Sequence, residues 1–158
     1  MPSLFYTMER NEIKYRIKTA TEKDIRFHLE ECNDNFFPPL NERANINEYA
    51  KKIFEKAMTF EAWKDNNLTG LIATYFSNLE SHSAFITNVS VTKKQMGLGI
   101  ASELLNSCIE YAHQNGFKEI QLEVNKENIP AINFYKKFNF IHFGTNTGSL
   151  IMKLEINK

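Results

Sequence analysis

Along the first third of the chain the apolar positions change period twice. KYRIKTA (14–20) alternates as a strand does, whereas Ile25, Leu29 and Cys32 recur at helical spacing behind Thr21 and Asp24, which pair as a capped helix start. The next stretch, NDNFFPPLNERAN (33–45), holds paired prolines, four asparagines and two adjacent phenylalanines, and supports neither period. It predicts a loop carrying exposed aromatics. In INEYAKKIFEKAM (46–58), Ile46, Tyr49, Ala50, Ile53 and Ala57 form one helical stripe, with Asn45 and Glu48 as its start signal.

TFEAW (59–63) and LTGLIATYF (68–76) flank the turn-rich KDNN and predict an antiparallel hairpin. A second polar turn, NLESHS, leads into the strand AFITNVSV (84–91). After a glycine-containing loop, Ile100, Ala101, Leu104, Leu105, Cys108, Ile109 and Ala112 line one side of a helix that Asn115-Gly116 ends. FKEIQLEV (117–124) is a strand, Asn128-Ile-Pro130 opens a helix running to about Lys137, and FNFIHF and SLIMKLEI close the pattern as strands. The order is β α α β β β α β α β β, an α/β pattern. The helix between strands 84–91 and 117–124 makes that pair a crossover, and therefore parallel, while the hairpins are antiparallel. A mixed, mostly antiparallel central sheet with helices on both faces follows.

At 158 residues with no repeat, linker or low-complexity tract, residues 1–158 read as one domain, long enough to bury roughly two thirds of its unfolded surface. Nineteen basic and nineteen acidic residues cancel to a formal net charge of zero. No partner of the nucleic-acid or anionic-membrane kind is indicated, so an anionic ligand must be held by local geometry. MPSLFYTMERNEIKYRI lacks a basic segment followed by a long apolar core, and no stretch reaches membrane-span length, which reads as cytoplasmic. Cys32 and Cys108 have no paired spacing and read as buried thiols; His28, His82, His113 and His142 show no metal-ligand spacing, and no metal is assigned.

KKQMGLGIASELL (93–105) is the segment with chemistry in it. A strand, a loop with two glycines and a helix start, in that order, can hold a phosphate: helix N-termini carry unpaired N–H groups, and glycine lets an anion approach the backbone. The same glycines also suit a simple turn.

From about residue 84 to 143 the chain resembles the GNAT superfamily of acyl-CoA-dependent N-acyltransferases. The likeness is carried by NVSV before the loop, MGLGIA within it, LEV on the following strand and NIPAINFYKKFNF beyond. It implies a splay between strands 84–91 and 117–124 and acetyl-CoA as co-substrate. The backbone of Met96, Gly97, Leu98, Gly99, Ile100, Ala101 and Ser102 would cradle the pyrophosphate. Met96 departs from the family's usual Arg or Gln, a polar role that Lys94 or Gln95 could fill, and Lys93, Lys94 and Lys126 are candidates to lie near CoA phosphates. Val89, Ser90 and Val91 would pair through their backbone with the pantetheine arm, with a strand N–H polarising the thioester carbonyl.

Asn128 matches the family's CoA-contacting asparagine; it also has the place of an N-cap ahead of Pro130, and the two roles are compatible. Tyr135 matches the tyrosine that protonates the departing thiolate, and a phenol with pKa near ~10 keeps the proton this needs. Beside Ile132, Phe134 and Phe138 it would serve equally as core. The general base is less defined, because Thr87 stands where many relatives carry glutamate. Glu123 on the neighbouring strand, acting directly or through water, is the next candidate; the alternatives are a water chain, Asp34 in the first loop, or binding of a partly neutral amine.

The implied activity is acetyl transfer to a primary amine of a small molecule in a ternary complex, with loop 33–45 lining the acceptor side. Its amides and prolines suit a polar, neutral acceptor such as an amino sugar. A CoA-binding module without catalysis is the competing reading, motivated by Thr87 and Met96. A dinucleotide-binding oxidoreductase is a third, from Gly97-x-Gly99 with Glu123 downstream, but Ser102 holds the third glycine position. Related domains often pair through late strands, so SLIMKLEI is a candidate homodimer edge, and burial within one chain accounts for it equally.

Overall fold

A computed structural model describes residues 12–156. The reading of the N-terminal leader as free of a targeting signal falls largely on residues 1–11, outside that range. Seven strands form one sheet in the order β1-β2-β3-β4-β5-β7-β6. They are β1 (Lys14–Ile17), β2 (Met58–Lys64), β3 (Asn67–Asn78), β4 (Ser83–Val91), β5 (Glu119–Asn125), β6 (Ile141–Asn146) and β7 (Ser149–Glu155). The helices are α1 (Glu22–Glu31), α2 (Ile46–Lys56), α3 (Ile100–Gln114) and α4 (Ile129–Lys137). Every neighbouring pair is antiparallel except β4 and β5, as the crossover through α3 requires. The fold class read from the sequence is the one observed.

Local chemistry explains the element ends. Thr21 and Asp24 make a reciprocal capping box on α1, with Thr21 Oγ1 accepting from Asp24 N at 3.1 Å and Asp24 Oδ2 accepting from Thr21 N at 2.9 Å. Asn45 caps α2 by accepting from Glu48 N at 3.0 Å. That helix stops at Lys56, and Met58 already belongs to β2, slightly earlier than the apolar stripe suggested. Likewise β1 ends at Ile17, because Lys18 turns to positive φ, and loop 33–45 holds two single turns of 3-10 helix.

Two cores lie on opposite faces of the sheet. Ile25, Leu29, Ala50 and Ile53 of α1 and α2 cover Trp63, Leu71 and Ala73 on one face. Leu104, Leu105, Cys108 and Ala112 of α3, with Ile132 and Tyr135 of α4, cover Phe60, Ile72, Ile86 and Leu122 on the other. A buried carboxylate pins the first of these layers: Glu61 accepts from Ala20 N and Thr19 N at 3.0 Å each, from Thr19 Oγ1 at 2.6 Å and from Trp63 Nε1 at 3.1 Å.

The β3–β4 register shifts twice, once between Tyr75 and Asn78 and once beside Thr87. Ala73 faces Asn88 while Thr74 faces Ile86, so Thr87 is an extra residue on β4 and forms a bulge. A one-residue slip exchanges the faces. Accordingly Ala84 and Ile86 lie on the α3 side before the bulge and Val89 and Val91 after it, which leaves Asn88, Ser90 and Thr92 buried on the α1 side.

Candidate active site

The parallel ladder between β4 and β5 is short. It pairs Ser83 with Glu119, Ala84 with Ile120, Phe85 with Gln121 and Ile86 with Leu122, and no pairing follows. Thr87–Val91 therefore stays bonded to β3 on one side only, while β5 turns to β7 through Asn125. Beyond Ile86 the sheet opens. A cavity of about 260 Å³ occupies that opening, with Thr87, Asn88 and Val89 on one wall and Glu123, Val124 and Asn125 on the other.

The cavity has two mouths because residues from both faces of the sheet line it. On the α3–α4 side stand Ala101, Asn128, Ala131, Phe134 and Tyr135; on the other stand Asn35, Phe36, Phe37 and Arg43 from the α1–α2 connection. A gap through a sheet is what two reactants need to meet from opposite faces.

In the loop before α3, whose Ala101 lines the cavity, Gly97 and Gly99 have φ of 81° and 82°, a region that costs an L-residue strain but not glycine. Nothing lies within 4 Å of where a Cβ would sit on either. Gly99 is the N-cap of α3 and no side chain caps that helix, so its first N–H groups are open to an acceptor. The helix start is held close to the sheet by Gly70, whose absent Cβ would lie 2.7 Å from Ile100 Cγ2. The residues present fit a pyrophosphate.

The sequence-predicted residues divide by where their side chains go. Tyr135, Glu123, Asn128, Val89 and Ala101 all line the cavity. Ile100 is buried in the α3 core and Val91 packs against it, so each offers only its backbone. Ser102 is partly exposed on α3 and does not line the cavity, while Met96 and Leu98 are 50% and 64% exposed. Ser90 likewise has only its backbone to offer. The bulge turns its hydroxyl to the α1 side, where Oγ lies 2.9 Å from His28 Nε2 and 2.7 Å from Asn88 Oδ1. Lys94 and Gln95 line a separate cavity of about 380 Å³ between α1 and the β2–β3 turn, and Asp34, which accepts from Asn33 Nδ2 at 3.1 Å, does not line the opening.

Tyr135 is buried between Phe134 and Phe140, with ring centroids 5.4 and 5.8 Å away. Burial pushes its phenol further above the ordinary value, so it holds its proton throughout the neutral range. Among the described residues its hydroxyl has no hydrogen-bond partner. Asn128 does cap α4, accepting from Ala131 N at 3.3 Å, while also facing the cavity. Glu123 is exposed, with Asn146 Nδ2 3.5 Å from one carboxylate oxygen.

Some residues at the opening escaped the sequence reading. The Tyr49 hydroxyl donates to the Thr87 carbonyl at 2.6 Å and lies 2.8 Å from Thr87 Oγ1, clamping the bulge from α2. Its apolar stripe gave no sign of that bond. Behind the bulge, His28 Nδ1 donates to the Leu68 carbonyl at 3.1 Å, and burial holds this histidine neutral, with its pKa lowered to about 4. The thiols of Cys32 and Cys108 are free, buried and pushed up to about 12 by desolvation, so neither is a nucleophile at neutral pH.

Residues 22–140 match the family model described as Acetyltransferase (GNAT) family, and the chain belongs to that family. It is 34% identical over 87 residues to Streptothricin acetyltransferase A of Bacillus subtilis, a match covering 55% of this chain and 49% of that protein. The chain thus spans about half the length of that curated relative. Among solved structures it superposes on the PaiA N-acetyltransferase of Thermoplasma acidophilum in complex with coenzyme A, with TM-score 0.75, 17% identity and coverage of 91% of this chain and 99% of the other. It also superposes on the ribosomal-protein-S18-alanine N-acetyltransferase of Escherichia coli, with TM-score 0.72, 20% identity and coverage of 92% and 96%. At those identities the two structures establish a shared fold. Among the described residues, no helix is long and apolar enough to cross a membrane.

Proposed function

We propose that this protein moves an acetyl group from acetyl-CoA to a primary amine of a small molecule by direct attack in a ternary complex. The observation that carries the reading is the opening beyond Ile86, lined from both faces of the sheet, with Tyr135 on its wall and the uncapped first turn of α3 reaching it through Ala101. A relative with CoA bound, and another named for acetylating a small antibiotic, support the same reading.

The chain's own residues divide the work. N–H groups from Gly97 to Ser102 face the pyrophosphate, while the unpaired edge of β4 from Thr87 to Val91 bonds the pantetheine arm and directs an N–H at the thioester oxygen. As the amine nitrogen forms its bond to the carbonyl carbon and the carbon–sulfur bond breaks, Tyr135 donates its phenolic proton to the sulfur. The proton lost by the amine passes to Glu123, directly or through water.

Calorimetry with CoA, followed by thiol release from acetyl-CoA over a panel of primary amines, tests this reading. Binding with thiol release for at least one amine is the expected result. Failure to bind CoA would overturn it; binding without release for any amine would leave the non-catalytic module that Thr87, in place of a glutamate, allows.

A further inference from the structure

The second mouth carries two opposite charges that no described residue neutralises. Arg43 lines it from the α1–α2 connection and Glu123 from β5. Among the described residues the ion pairs are those of Lys153 with Glu119 and with Glu155, so Arg43 and Glu123 pair neither with each other nor with a third residue. Arg43 rests its guanidinium 5.9 Å from the centre of the Phe36 ring, and Phe36 lines the same cavity. Arg43 therefore stands at the same opening as Thr87 and Glu123. An arginine fork placed this way recognises a carboxylate through two parallel N–H bonds.

We infer that the acceptor is a small zwitterion, a free amino acid, whose carboxylate is taken by Arg43 and whose amino group is directed toward Glu123 and the thioester. This rests on the acetyltransferase reading above and narrows it. The cavity's size agrees, since about 260 Å³ must also admit the acetyl end of the cofactor. It shifts the acceptor away from the neutral amino sugar that the amides of loop 33–45 suggested. The reaction balances without a further reagent: the amine nitrogen gains the acetyl carbon and loses one proton, and the CoA sulfur gains one.

The discriminating experiment offers free L-amino acids and their carboxamides as matched acceptors, read by thiol release at saturating acetyl-CoA. The carboxamide keeps the side chain and amine but lacks the anion, and its less basic amine is the more available nucleophile at neutral pH. Preference for the acid thus reports recognition of the carboxylate. The expected result is at least one amino acid favoured ~10-fold or more in kcat/KM over its carboxamide, with the ratio falling toward one in Arg43→Gln and partly kept in Arg43→Lys. A thermal melt of each variant confirms that it is folded. Equal use of acid and carboxamide, an acid preference that survives in Arg43→Gln, or transfer only to amines without a carboxylate would overturn the inference and leave the acetyltransferase reading standing. No transfer to any amine with CoA bound overturns the inference and leaves only the non-catalytic module, whereas absence of CoA binding overturns inference and reading together.

Discussion

Ile86 and Leu122 are the last paired residues of the parallel ladder between β4 and β5, and one residue further on Thr87 bulges out of β4. The two features work together. The bulge turns Asn88 and Ser90 to the α1 side, while β5 keeps its bonding to β7, so the two strands leave each other at a defined residue. Tyr49 secures the point of departure by bonding both the carbonyl and the hydroxyl of Thr87. Replacing Tyr49 with Phe removes those bonds with little change in volume. It should cost ~1 kcal/mol of stability and lower acetyl transfer more than it lowers CoA affinity, a split that urea unfolding and calorimetry would resolve.

Tyr135 should act on the bond-breaking step alone. In Tyr135→Phe the aromatic contacts with Phe134 and Phe140 remain and only the proton donor is lost. The expected outcome is a fall in kcat of ~10-fold or more with KM for acetyl-CoA nearly unchanged. Since burial raises the phenol's pKa, the wild-type rate should not decline between pH 8 and 9.5 through loss of this proton. Equal rates in the two proteins would return Tyr135 to a purely structural role.

How much of this was legible beforehand depends on the range of the interaction. Local signals served well: Thr21 with Asp24, Asn45 with Glu48 and Asn128 ahead of Pro130 all cap the helices they announced, because a cap is decided within four residues. Parallel pairing of β4 with β5 followed from the crossover. The bulge at Thr87 was not legible, since AFITNVSV reads as a continuous strand and the extra residue shows only against β3. For that reason the contact of the Ser90 side chain with His28 was not legible either. Arg43 was passed over for a related cause, as nothing within loop 33–45 says which of its polar residues faces a strand more than forty positions away.

Gly70 controls the approach of α3 to the sheet. A methyl group there would meet Ile100 Cγ2 at 2.7 Å, Ala62 Cβ at 3.2 Å and Leu104 Cδ1 at 3.3 Å, all in a packed interior. Gly70→Ala should therefore destabilise the fold by ~1–3 kcal/mol. Ile100 opens α3, so the displacement moves the N–H groups beside Gly99. CoA affinity should fall in the same variant, whereas Gly116→Ala, far from that helix start, should leave it unaltered.

Glu61 holds the entry to α1. Its carboxylate takes the N–H groups of Thr19 and Ala20, two backbone donors that have no substitute acceptor in the interior if it is removed. Glu61→Ala should cost ~3 kcal/mol or more, because the donors lose their partners and a cavity is left. Glu61→Gln keeps the shape and part of the bonding and should cost less. Chemical denaturation of both variants gives the comparison, and a cost below ~0.5 kcal/mol for Glu61→Ala would count against the role assigned here.

His28 should give the protein an acid-sensitive stability. Its pKa is lowered from 6.5 to about 4 by burial, so the unfolded chain binds a proton that the folded chain refuses across that interval. Where the unfolded state binds more protons, stability rises with pH; the contribution is therefore full above pH 6.5, is lost as pH falls, and is exhausted near pH 4. The span corresponds to roughly 3 kcal/mol at about 1.36 kcal/mol per pKa unit. In His28→Gln the bond to Leu68 can be kept without a titrating group. The stability of wild type relative to this variant should fall between pH 6.5 and pH 4 and be level above pH 7, which unfolding midpoints measured at each pH will show. A parallel pH dependence in the two proteins would assign the acid sensitivity to other groups.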